Sequence, residues 1–489
     1  MEKLKLKTFK LFIDGEWVEH NSGEYIESIN PATLEVIAQF PRGNDEDIDK
    51  SVSVARKAFE SSEWREMLPA DRGRLLLKIS QLIKENKDEL MAIERLDTGQ
   101  PRWLVEGGVE LAARYFEYYS GVADKIQGES IPLRADFVDY TIREPLGVTA
   151  HIVPWNYPLQ IAARSVSAAL AAGNTVIVKP SEDTPLSALK LAEIATKAGL
   201  PKGVINVVTG YGNEAGQALV SHKGIDHITF TGSTVTGSNI MKSAGENIVS
   251  VTLELGGKSP QIVFSDADLE ETAKIVVKSI TQNSGQTCVA GSRLLVEKGI
   301  QEKFLQHINE VMDSLTLYSP TEVNYDISPT ISEKQIRRVE EYMDIAIQEG
   351  CSIIRGGKRI EEGKLLFEPT LIDKLPINSR LCNEEIFGPV LVIQPFETIE
   401  EALEIANSTP YGLAAGIHTN NLNKAHWLAN RIRAGHVYIN NYGSPEGGVE
   451  MPFGGMGKSG IGSEKGLEAL KHYTQVKNVA IKITSVALK

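Results

Sequence analysis

Val148-Thr149-Ala150-His151-Ile152-Val153 is a short apolar run of the kind that forms a buried strand, and Thr175-Val176-Ile177-Val178-Lys179 is a second. An alanine-rich stretch with helical character, residues 162–172, lies between them. The alternation continues through two further strand-like runs at 204–208 and 227–231. Because each crossover helix packs back onto the sheet, this pattern predicts an α/β fold with a parallel sheet covered by helices on both faces.

The flanking regions predict a second α/β unit and a terminal strand. Residues 258–458 contain a strand-like run at 293–296 and helical patterns near 300–315 and 331–349. The tail at 473–483 alternates apolar and polar residues, which is typical of a long strand. An exposed edge strand invites pairing with another subunit.

Composition limits the class of protein. A chain of 489 residues is too long for one ordinary core, so two or three domains are expected. The net charge of −13 disfavours binding to nucleic acid or to anionic membranes. The chain has only three cysteines, which argues against a disulfide framework and favours a reducing compartment. No apolar run reaches the length of about 18 residues that a membrane helix needs. Both observations favour the cytoplasm.

One cysteine lies in an unusual setting, Asn283-Ser284-Gly285-Gln286-Thr287-Cys288-Val289-Ala290-Gly291-Ser292-Arg293. The neighbours of Cys288 are small or polar, and glycines let a backbone approach a ligand closely. A loop cysteine of this kind can act as a nucleophile. The alternative is a buried, inert thiol, which describes most free cysteines.

Two features suit a dinucleotide. Gly232 and Ser233 follow a strand and precede a helix, where free amides can hold a phosphate. The stretch lacks the G-x-G-x-x-G pattern of a Rossmann domain, so an ordinary βα turn is the alternative. Lys179, Ser181 and Glu182 follow another strand and can grip ribose hydroxyls, unless they are a solvated charge pair. Glu182 would repel a 2′-phosphate, which favours NAD over NADP.

Three further features suit catalysis or nucleotide binding, each with a structural alternative. Glu254 lies inside an apolar run, where burial raises a carboxyl pKa toward that of a general base, or where it only caps amides. Asn156, between Trp155 and Tyr157, can donate its amide to an oxyanion or simply form a turn. Glu385 and Phe387 can hold a ribose and a flat ring, or belong to an ordinary turn.

Together and in this order, these motifs resemble the NAD(P)-dependent aldehyde dehydrogenase superfamily, of the non-acylating type, over nearly the whole chain. The two strongest are Leu253-Glu254-Leu255-Gly256-Gly257-Lys258 and the stretch around Cys288. Supporting motifs occur at 154–156, 230–233, 384–389 and 452–455. The resemblance makes an inert Cys288 the minor alternative.

The resemblance implies a subunit in three parts. Residues 1–122 and 146–257 would form a Rossmann-like NAD-binding domain with a parallel sheet, and residues 258–458 an α/β catalytic domain. Residues 123–145 and 459–489 would form a small β oligomerisation element, which implies a homodimer or homotetramer.

It also implies a mechanism. Cys288 would attack an aldehyde as a thiolate, aided by a depressed pKa or a nearby base. The Asn156 amide and the Cys288 N–H would hold the oxyanion, hydride would pass to NAD, and Glu254 would activate water to hydrolyse the thioester. The scheme assigns no metal. The implied NAD contacts are Ile152, Val153, Pro154, Trp155, Lys179, Ser181, Glu182, Gly212, Phe230, Gly232, Ser233, Leu255, Gly256, Glu385 and Phe387.

The substrate pocket implied by the resemblance is polar, which puts a simple fatty aldehyde in doubt. Its aromatic residues beyond Trp155 and Tyr157 do not complete the box that quaternary ammonium aldehydes need. Glu464 matches a position the family associates with proton relay, and Arg164-Ser165 stands where many relatives carry a lysine. The implied lining residues are Tyr157, Gln160, Ile161, Arg164, Gln282, Thr287, Val289, Glu446 and Phe453.

Three other functions stay open at this point. An acylating dehydrogenase would pass the thioester to coenzyme A, but such relatives typically lack the glutamate found here at Glu254. A non-catalytic member of the fold would tend to lose the nucleophile, and Cys288 is present. A cysteine hydrolase on another fold would need a histidine partner, and none lies in these motifs.

Overall fold

An eight-stranded sheet forms the first layer of the molecule in the computed structural model, which describes residues 7–20, 22–319, 321–376, 378–443 and 447–483. Its five central strands are parallel, as predicted, and its outer strands are antiparallel. Edge to edge, the strands are Gly460–Ile461, Ser250–Glu254, His227–Thr231, Val148–Val153, Thr175–Pro180, Ile205–Val207, Leu11–Ile13 and Glu16–Val18.

Helices cover both faces of this sheet, which confirms the predicted layering. The most buried is Pro158–Ala172, which packs against the sheet and against Arg102–Val122 and Pro69–Glu85. It begins earlier than the predicted 162, because Pro158 suits the first turn of a helix, and it ends at Gly173 with φ of 94°. The other helices of this layer are Asp45–Glu60, Ser62–Arg65, Lys87–Thr98, Leu186–Lys197, Gln217–Ser221 and Thr234–Asn247.

A seven-stranded sheet forms the second unit. Six neighbouring strands are parallel, and Ser352–Arg355 is antiparallel at one edge. In order, its strands are Ser352–Arg355, Thr370–Asp373, Val390–Phe396, Arg293–Glu297, Pro260–Val263, Ala414–His418 and His436–Ile439. The helices of this part of the chain are Leu269–Thr281, Gln301–Asp313, Glu333–Gln348, Arg380–Asn383, Ile399–Asn407 and Leu422–Ala429.

Two small sheets complete the fold. Thr474–Lys482, the predicted terminal strand, runs antiparallel to Phe137–Pro145, which also pairs with Ser130–Ile131. We call this three-stranded unit the arm sheet. Apolar side chains on it are exposed, among them Val476, Ile481 and Val138. The second small sheet contains Lys7–Thr8, Val36–Pro41 and Tyr25–Ile29.

The segment before the arm strand belongs elsewhere in space. Gly460–Ile461 pairs with Ser250–Glu254 in the eight-stranded sheet, and the helix Glu468–His472 packs on Pro158–Ala172. The division of the chain into three domains stays a prediction. None of the helices in the described ranges is long and apolar enough to cross a bilayer.

Candidate active site

The two large sheets are joined where strand Ser250–Glu254 ends. The chain passes through residues 255–259 and enters Pro260–Val263 of the seven-stranded sheet. Glu254 is the last residue of its strand and lies between Thr231 and Gly460 on the neighbouring strands. The predicted acid therefore stands at the junction of the two units, at the carboxyl end of a parallel strand, where open sheets bind ligands.

The loop that carries Cys288 follows helix Leu269–Thr281 through a tight turn. Asn283, Ser284 and Gly285 have φ of 51°, 52° and 74°, so three consecutive residues are left-handed. Only glycine adopts this region without strain, and non-glycine residues held there need support from their surroundings. Hydrogen bonds from Ser284 Oγ to the Ser328 carbonyl at 2.6 Å and from Gln286 Nε2 to the Asn283 carbonyl at 3.0 Å supply that support.

Two glycines bring the segments of the site together. A Cβ on Gly257 would lie 2.5 Å from the backbone oxygen of Cys288, and one on Gly256 would lie 2.2 Å from Glu385 Oε2. Glu385 also accepts a hydrogen bond from the Gly257 amide at 2.9 Å. The Gly256-Gly257 pair therefore lets the Cys288 loop and the Glu385 loop approach the end of the Glu254 strand.

The environment of Cys288 disfavours the thiolate form of its side chain. The side chain is half-buried, and burial raises the pKa of its thiol to about 12, with the nearby charge of Arg164 opposing that shift. For a thiolate nucleophile the sequence prediction was a depressed pKa or a nearby base, and the raised pKa leaves the second of these. Because burial outweighs the nearby positive charge, the thiol holds its proton near pH 7, and a reaction of Cys288 as a nucleophile would need a base to take that proton.

Glu254 is a buried carboxyl group without a hydrogen bond. Its side chain is 2% exposed, and neither oxygen has a partner among the described residues. Burial raises the pKa of Glu254 well above its ordinary value, Arg164 opposes the shift and Glu464 adds to it. Buried polar atoms are normally hydrogen-bonded, so an unpartnered carboxyl at this junction indicates a group kept for a water or a substrate.

Asn156 is held beside the Cys288 loop. Its Nδ2 donates to the Gln286 carbonyl at 2.9 Å, while its backbone carbonyl accepts from Gln100 Nε2 at 2.7 Å and from Asn283 Nδ2 at 3.2 Å. An amide nitrogen carries two N–H groups, and the Gln286 carbonyl takes one. The second N–H is the group that an oxyanion beside Cys288 would need.

Arg164 and Glu464, both predicted for the site, form a buried ion pair. Nε of Arg164 donates to Glu464 at 3.1 Å, and its Nη2 donates to Thr231 Oγ1 at 2.9 Å. Glu464 also accepts from Thr229 Oγ1 at 2.7 Å. The ion pair lies directly beside Glu254, because Thr231, which accepts from Arg164, is the neighbour of Glu254 on the adjacent strand.

Replacing Arg164 with methionine is expected to lower the free energy of unfolding by about 3–5 kcal/mol, because the Glu464 carboxylate would be left buried without its counter-ion. Urea titration followed by circular dichroism measures the loss. The matched control is Arg337→Met, which breaks an exposed pair with Glu333 and should cost less than about 1 kcal/mol. Equal losses in the two variants would contradict the role given to the buried pair.

The predicted ribose-binding pair is formed at the end of strand Thr175–Pro180. Lys179 is 2% exposed and its Nζ lies 3.2 Å from Glu182, whose carboxylate is partly exposed. The Ser181 amide donates to the Val153 carbonyl at 2.9 Å, which ties this turn to the neighbouring strand end. A Cβ on Gly216, in the turn that begins at Gly212, would lie 4.0 Å from the Lys179 side chain.

The second group of cofactor positions meets across the two units. The rings of Trp155 and Phe387 make an edge contact with centroids 5.3 Å apart. Phe387 has φ of 64°, and Gln335 Nε2 holds its carbonyl at 2.8 Å. Burial raises the pKa of the neighbouring Glu385 to about 7. An acid and aromatic rings that meet between the two units fit the ribose and the flat ring of a dinucleotide.

The remaining cofactor positions occupy the same edge of the eight-stranded sheet. Ile152 and Val153 end one strand and lead into Pro154, while Phe230 lies in the next strand. The turn after Phe230 contains Gly232 and Ser233, and Ser233 Oγ accepts from the Thr236 amide at 3.1 Å. Leu255 follows Glu254 and donates its amide to the Ser459 carbonyl at 2.8 Å.

The predicted substrate residues cluster around Cys288. Tyr157 Oη lies 2.9 Å from Thr287 Oγ1 and accepts from Gln282 Nε2 at 3.3 Å. The Val289 carbonyl accepts from Tyr442 Oη at 2.6 Å, and the Phe453 ring lies 5.5 Å from the Arg164 guanidinium carbon. Glu446 lies outside the described residues.

Sequence reasoning missed two side chains of this region. Gln286 braces the Cys288 loop, since its Oε1 also accepts from the Ile331 amide at 2.9 Å. Lys465, next to Glu464, is buried with its Nζ against the same Phe453 ring as Arg164. The sequence around Lys465 offered no spacing or composition that would distinguish it from a surface lysine.

Comparisons with known proteins point to one family. The profile of the aldehyde dehydrogenase family matches residues 17–479. Aldehyde dehydrogenase 1 of Tanacetum cinerariifolium is 44% identical over 98% of this chain and 96% of its own. The NAD+ complex of an aldehyde dehydrogenase from Bacillus cereus superimposes with a TM-score of 0.95 at 42% identity, over 98% of this chain and 97% of that one. An NAD-dependent aldehyde dehydrogenase from Sinorhizobium meliloti superimposes with a TM-score of 0.96 at 37% identity, over 99% of this chain and 97% of that one.

Proposed function

Since the chain belongs to the aldehyde dehydrogenase family, we propose that it oxidises an aldehyde to the carboxylic acid with NAD as cofactor and Cys288 as nucleophile. The observation that carries the proposal is the meeting of Cys288, the unpartnered carboxyl of Glu254 and the fixed amide of Asn156 across the Gly256-Gly257 close approach. A nucleophile, a base and an oxyanion donor are the three groups that acyl chemistry requires.

In the first step, Cys288 Sγ bonds to the aldehyde carbon as the thiol proton passes to a water molecule and from there to solvent. The carbonyl π electrons move to oxygen, and this oxygen accepts hydrogen bonds from Asn156 Nδ2 and from the Cys288 amide. Arg164, fixed on Glu464, contributes a permanent positive charge beside the reacting atoms. Its nearby charge lowers the pKa of the thiol, against the larger effect of burial.

The residues around Lys179, Gly232 and Glu385 would hold NAD, which would supply the acceptor for the hydride that leaves the thiohemiacetal carbon. Loss of that hydride leaves a thioester on Cys288. Glu254 then acts as general base on a water molecule, whose oxygen attacks the thioester carbon. The C–S bond breaks, the carboxylic acid leaves, and the proton held by Glu254 passes to solvent or to the sulfur. Hydrolysis rather than transfer to coenzyme A follows from a buried base that can orient water.

Lys179 and Glu182 would hold the adenosine ribose of NAD, and Gly232 and Ser233 would lie against the pyrophosphate. Glu385 would accept from the nicotinamide ribose hydroxyls, with Phe387 and Trp155 beside the ring. These groups come from both large sheets, so the cofactor would bridge the two units.

Replacing Glu182 with glutamine is expected to raise the ratio of kcat/KM for NADP over NAD by about tenfold, because the loss of one like charge facing a 2′-phosphate is worth on the order of 1.4 kcal/mol. Steady-state rates with each cofactor at saturating aldehyde measure the ratio. The control is Glu193→Gln, an acid on helix Leu186–Lys197 that pairs with Lys190 and Lys197. An unchanged ratio in the Glu182 variant would remove it from the ribose site.

The activity itself is tested by NADH formation from NAD with a panel of aldehydes. The panel contains short and long aliphatic, aromatic, amino, quaternary ammonium and carboxylated aldehydes. We expect turnover without coenzyme A on at least one class. The absence of NADH with every aldehyde, with and without coenzyme A, would overturn the proposed function.

The arm sheet is the proposed surface for assembly into a homodimer or homotetramer. It offers exposed apolar side chains on strands whose edge can pair with another copy. The cytoplasm stays the predicted compartment.

A further inference from the structure

Lys465 is a buried cation next to the proposed catalytic groups. Its side chain is 8% exposed, and its backbone is held at φ of 61° by the double hydrogen bond between Glu464 and Phe453, with both N···O distances at 2.6 Å. Nζ donates to the Gly447 carbonyl at 3.1 Å. An ammonium group carries three donors, so one hydrogen bond leaves two of them without a described partner.

Arg164 and Lys465 share one aromatic ring. Lys465 Nζ lies 5.1 Å and the Arg164 guanidinium carbon 5.5 Å from the centroid of Phe453. Glu464 neutralises Arg164 through a direct ion pair. Among the described residues, no carboxylate forms an ion pair with Lys465. Its second ring contact is with Tyr115, at 5.9 Å from Nζ to the centroid.

Such a charge is costly in the protein alone. Transfer of an ammonium out of water is unfavourable unless a counter-ion replaces the lost hydration. Burial lowers the pKa of Lys465 to about 8, and the like charge of Arg164 adds to the effect. An apolar aldehyde in this pocket would leave that cost uncompensated, whereas an anion would remove it.

We propose that Lys465 binds a carboxylate carried by the aldehyde, so that the substrate is an aldehyde with an anionic group at its other end. The inference rests on the proposed function. Lys465 interacts electrostatically with Cys288 and Glu254, so the anionic end would lie near the reacting carbon. The two remaining N–H groups of Lys465 would donate to the carboxylate oxygens. Arg164 would add electrostatic attraction while it keeps its ion pair with Glu464.

The other titratable groups around Lys465 do not neutralise its positive charge. His436 and Tyr115 are both neutral near pH 7, because burial lowers the pKa of His436 to about 4 and raises that of Tyr115. Cys288 and Glu254 have pKa values raised by burial. Glu464 is engaged by Arg164, so Lys465 carries the positive charge that a substrate anion would meet.

The test compares aldehydes that differ in one charge. 4-Carboxybenzaldehyde is paired with its methyl ester, and 4-oxobutanoate with butanal, and the readout is the ratio of kcat/KM values within each pair. At pH 7 we expect the anion of at least one pair to be favoured by about tenfold or more, the usual worth of a charge-assisted hydrogen bond. As pH rises through about 8, Lys465 loses its proton and the ratio should fall toward one.

Variants assign the preference to this side chain. Lys465→Met should lower the ratio by about 10- to 100-fold, and Lys465→Arg should retain a preference for the anion. The control Lys471→Met removes an exposed lysine that pairs with Glu468 and should leave the ratio as in the wild type.

The outcomes separate the two proposals. Oxidation of the neutral aldehydes with no preference for either anion, or a preference that Lys465→Met leaves intact, overturns the inference while the proposed function stands. Absence of turnover with every aldehyde overturns the proposed function. If Lys465→Met does not fold, the wild-type ratio and its decline with pH decide the matter alone.

Discussion

Cys288→Ala is expected to abolish aldehyde oxidation, lowering kcat/KM by about 10⁴-fold or more, because the proposed covalent intermediate forms on the sulfur that this variant removes. The alanine fills less volume than the thiol and leaves the backbone of the loop unchanged. NAD binding should persist, since the proposed nucleotide contacts lie on other segments. NADH formation measures the first effect and calorimetric titration with NAD the second.

The two other cysteines provide matched controls. Cys351 is half-buried and Cys382 is buried, and both lie in the second unit. Cys351→Ala and Cys382→Ala should retain oxidation within a few-fold. If Cys288→Ala turned over aldehyde at near the wild-type rate, the covalent mechanism would be wrong.

Glu254→Gln is expected to lower kcat by about 10²–10⁴-fold, the range for loss of a general base, while the acyl-enzyme still forms. Glutamine keeps the size of the side chain and removes its ability to take a proton from water. Rapid mixing should therefore give a burst of NADH close to one per active site, followed by slow turnover. Mass spectrometry of the quenched protein should find the acyl group on Cys288.

The pH profile adds a separate readout for Glu254. Because burial raises the pKa of Glu254, the fraction of Glu254 in its deprotonated, basic form increases as pH rises above the ordinary range of a carboxyl group. The deacylation rate of the wild type should therefore rise over the same pH interval. The climb should be absent in Glu254→Gln. Glu271→Gln, an exposed acid paired with Lys274, is the control and should keep both the rate and the profile. A Glu254 variant that hydrolysed its thioester at the wild-type rate would contradict the assignment of Glu254 as the general base.

Local sequence predicted what local sequence determines. The parallel sheet followed from alternating strands and helices. Each candidate catalytic residue also had a local signal: Cys288 lay among small and polar residues, Glu254 was an acid inside an apolar run, and Asn156 lay between two aromatic residues. The structure brings all three to one junction, although their roles stay proposals. The helix start at Pro158 was placed late, because its alanine-rich part gave the clearer signal.

Contacts between distant segments could not be predicted in the same way. Arg164 and Glu464 are 300 residues apart, and their pairing depends on the packing of strand Gly460–Ile461 beside Ser250–Glu254. Of the two aids predicted for the Cys288 thiolate, a depressed pKa or a nearby base, the first is not found, because burial set by tertiary packing raises the pKa of the thiol. Lys465 had no sequence signal at all, since its burial comes from that same long-range return of the chain.

The pairing of Gly460–Ile461 with Ser250–Glu254 also bears on how the protein is made. During synthesis the strand that carries Glu254 leaves the ribosome long before the segment that covers its outer edge. An uncovered apolar edge can pair with other nascent chains. Chaperones that shield strand edges should therefore matter most for this chain late in translation, and truncations that remove only its last part should aggregate rather than accumulate as a folded nucleotide-binding fragment.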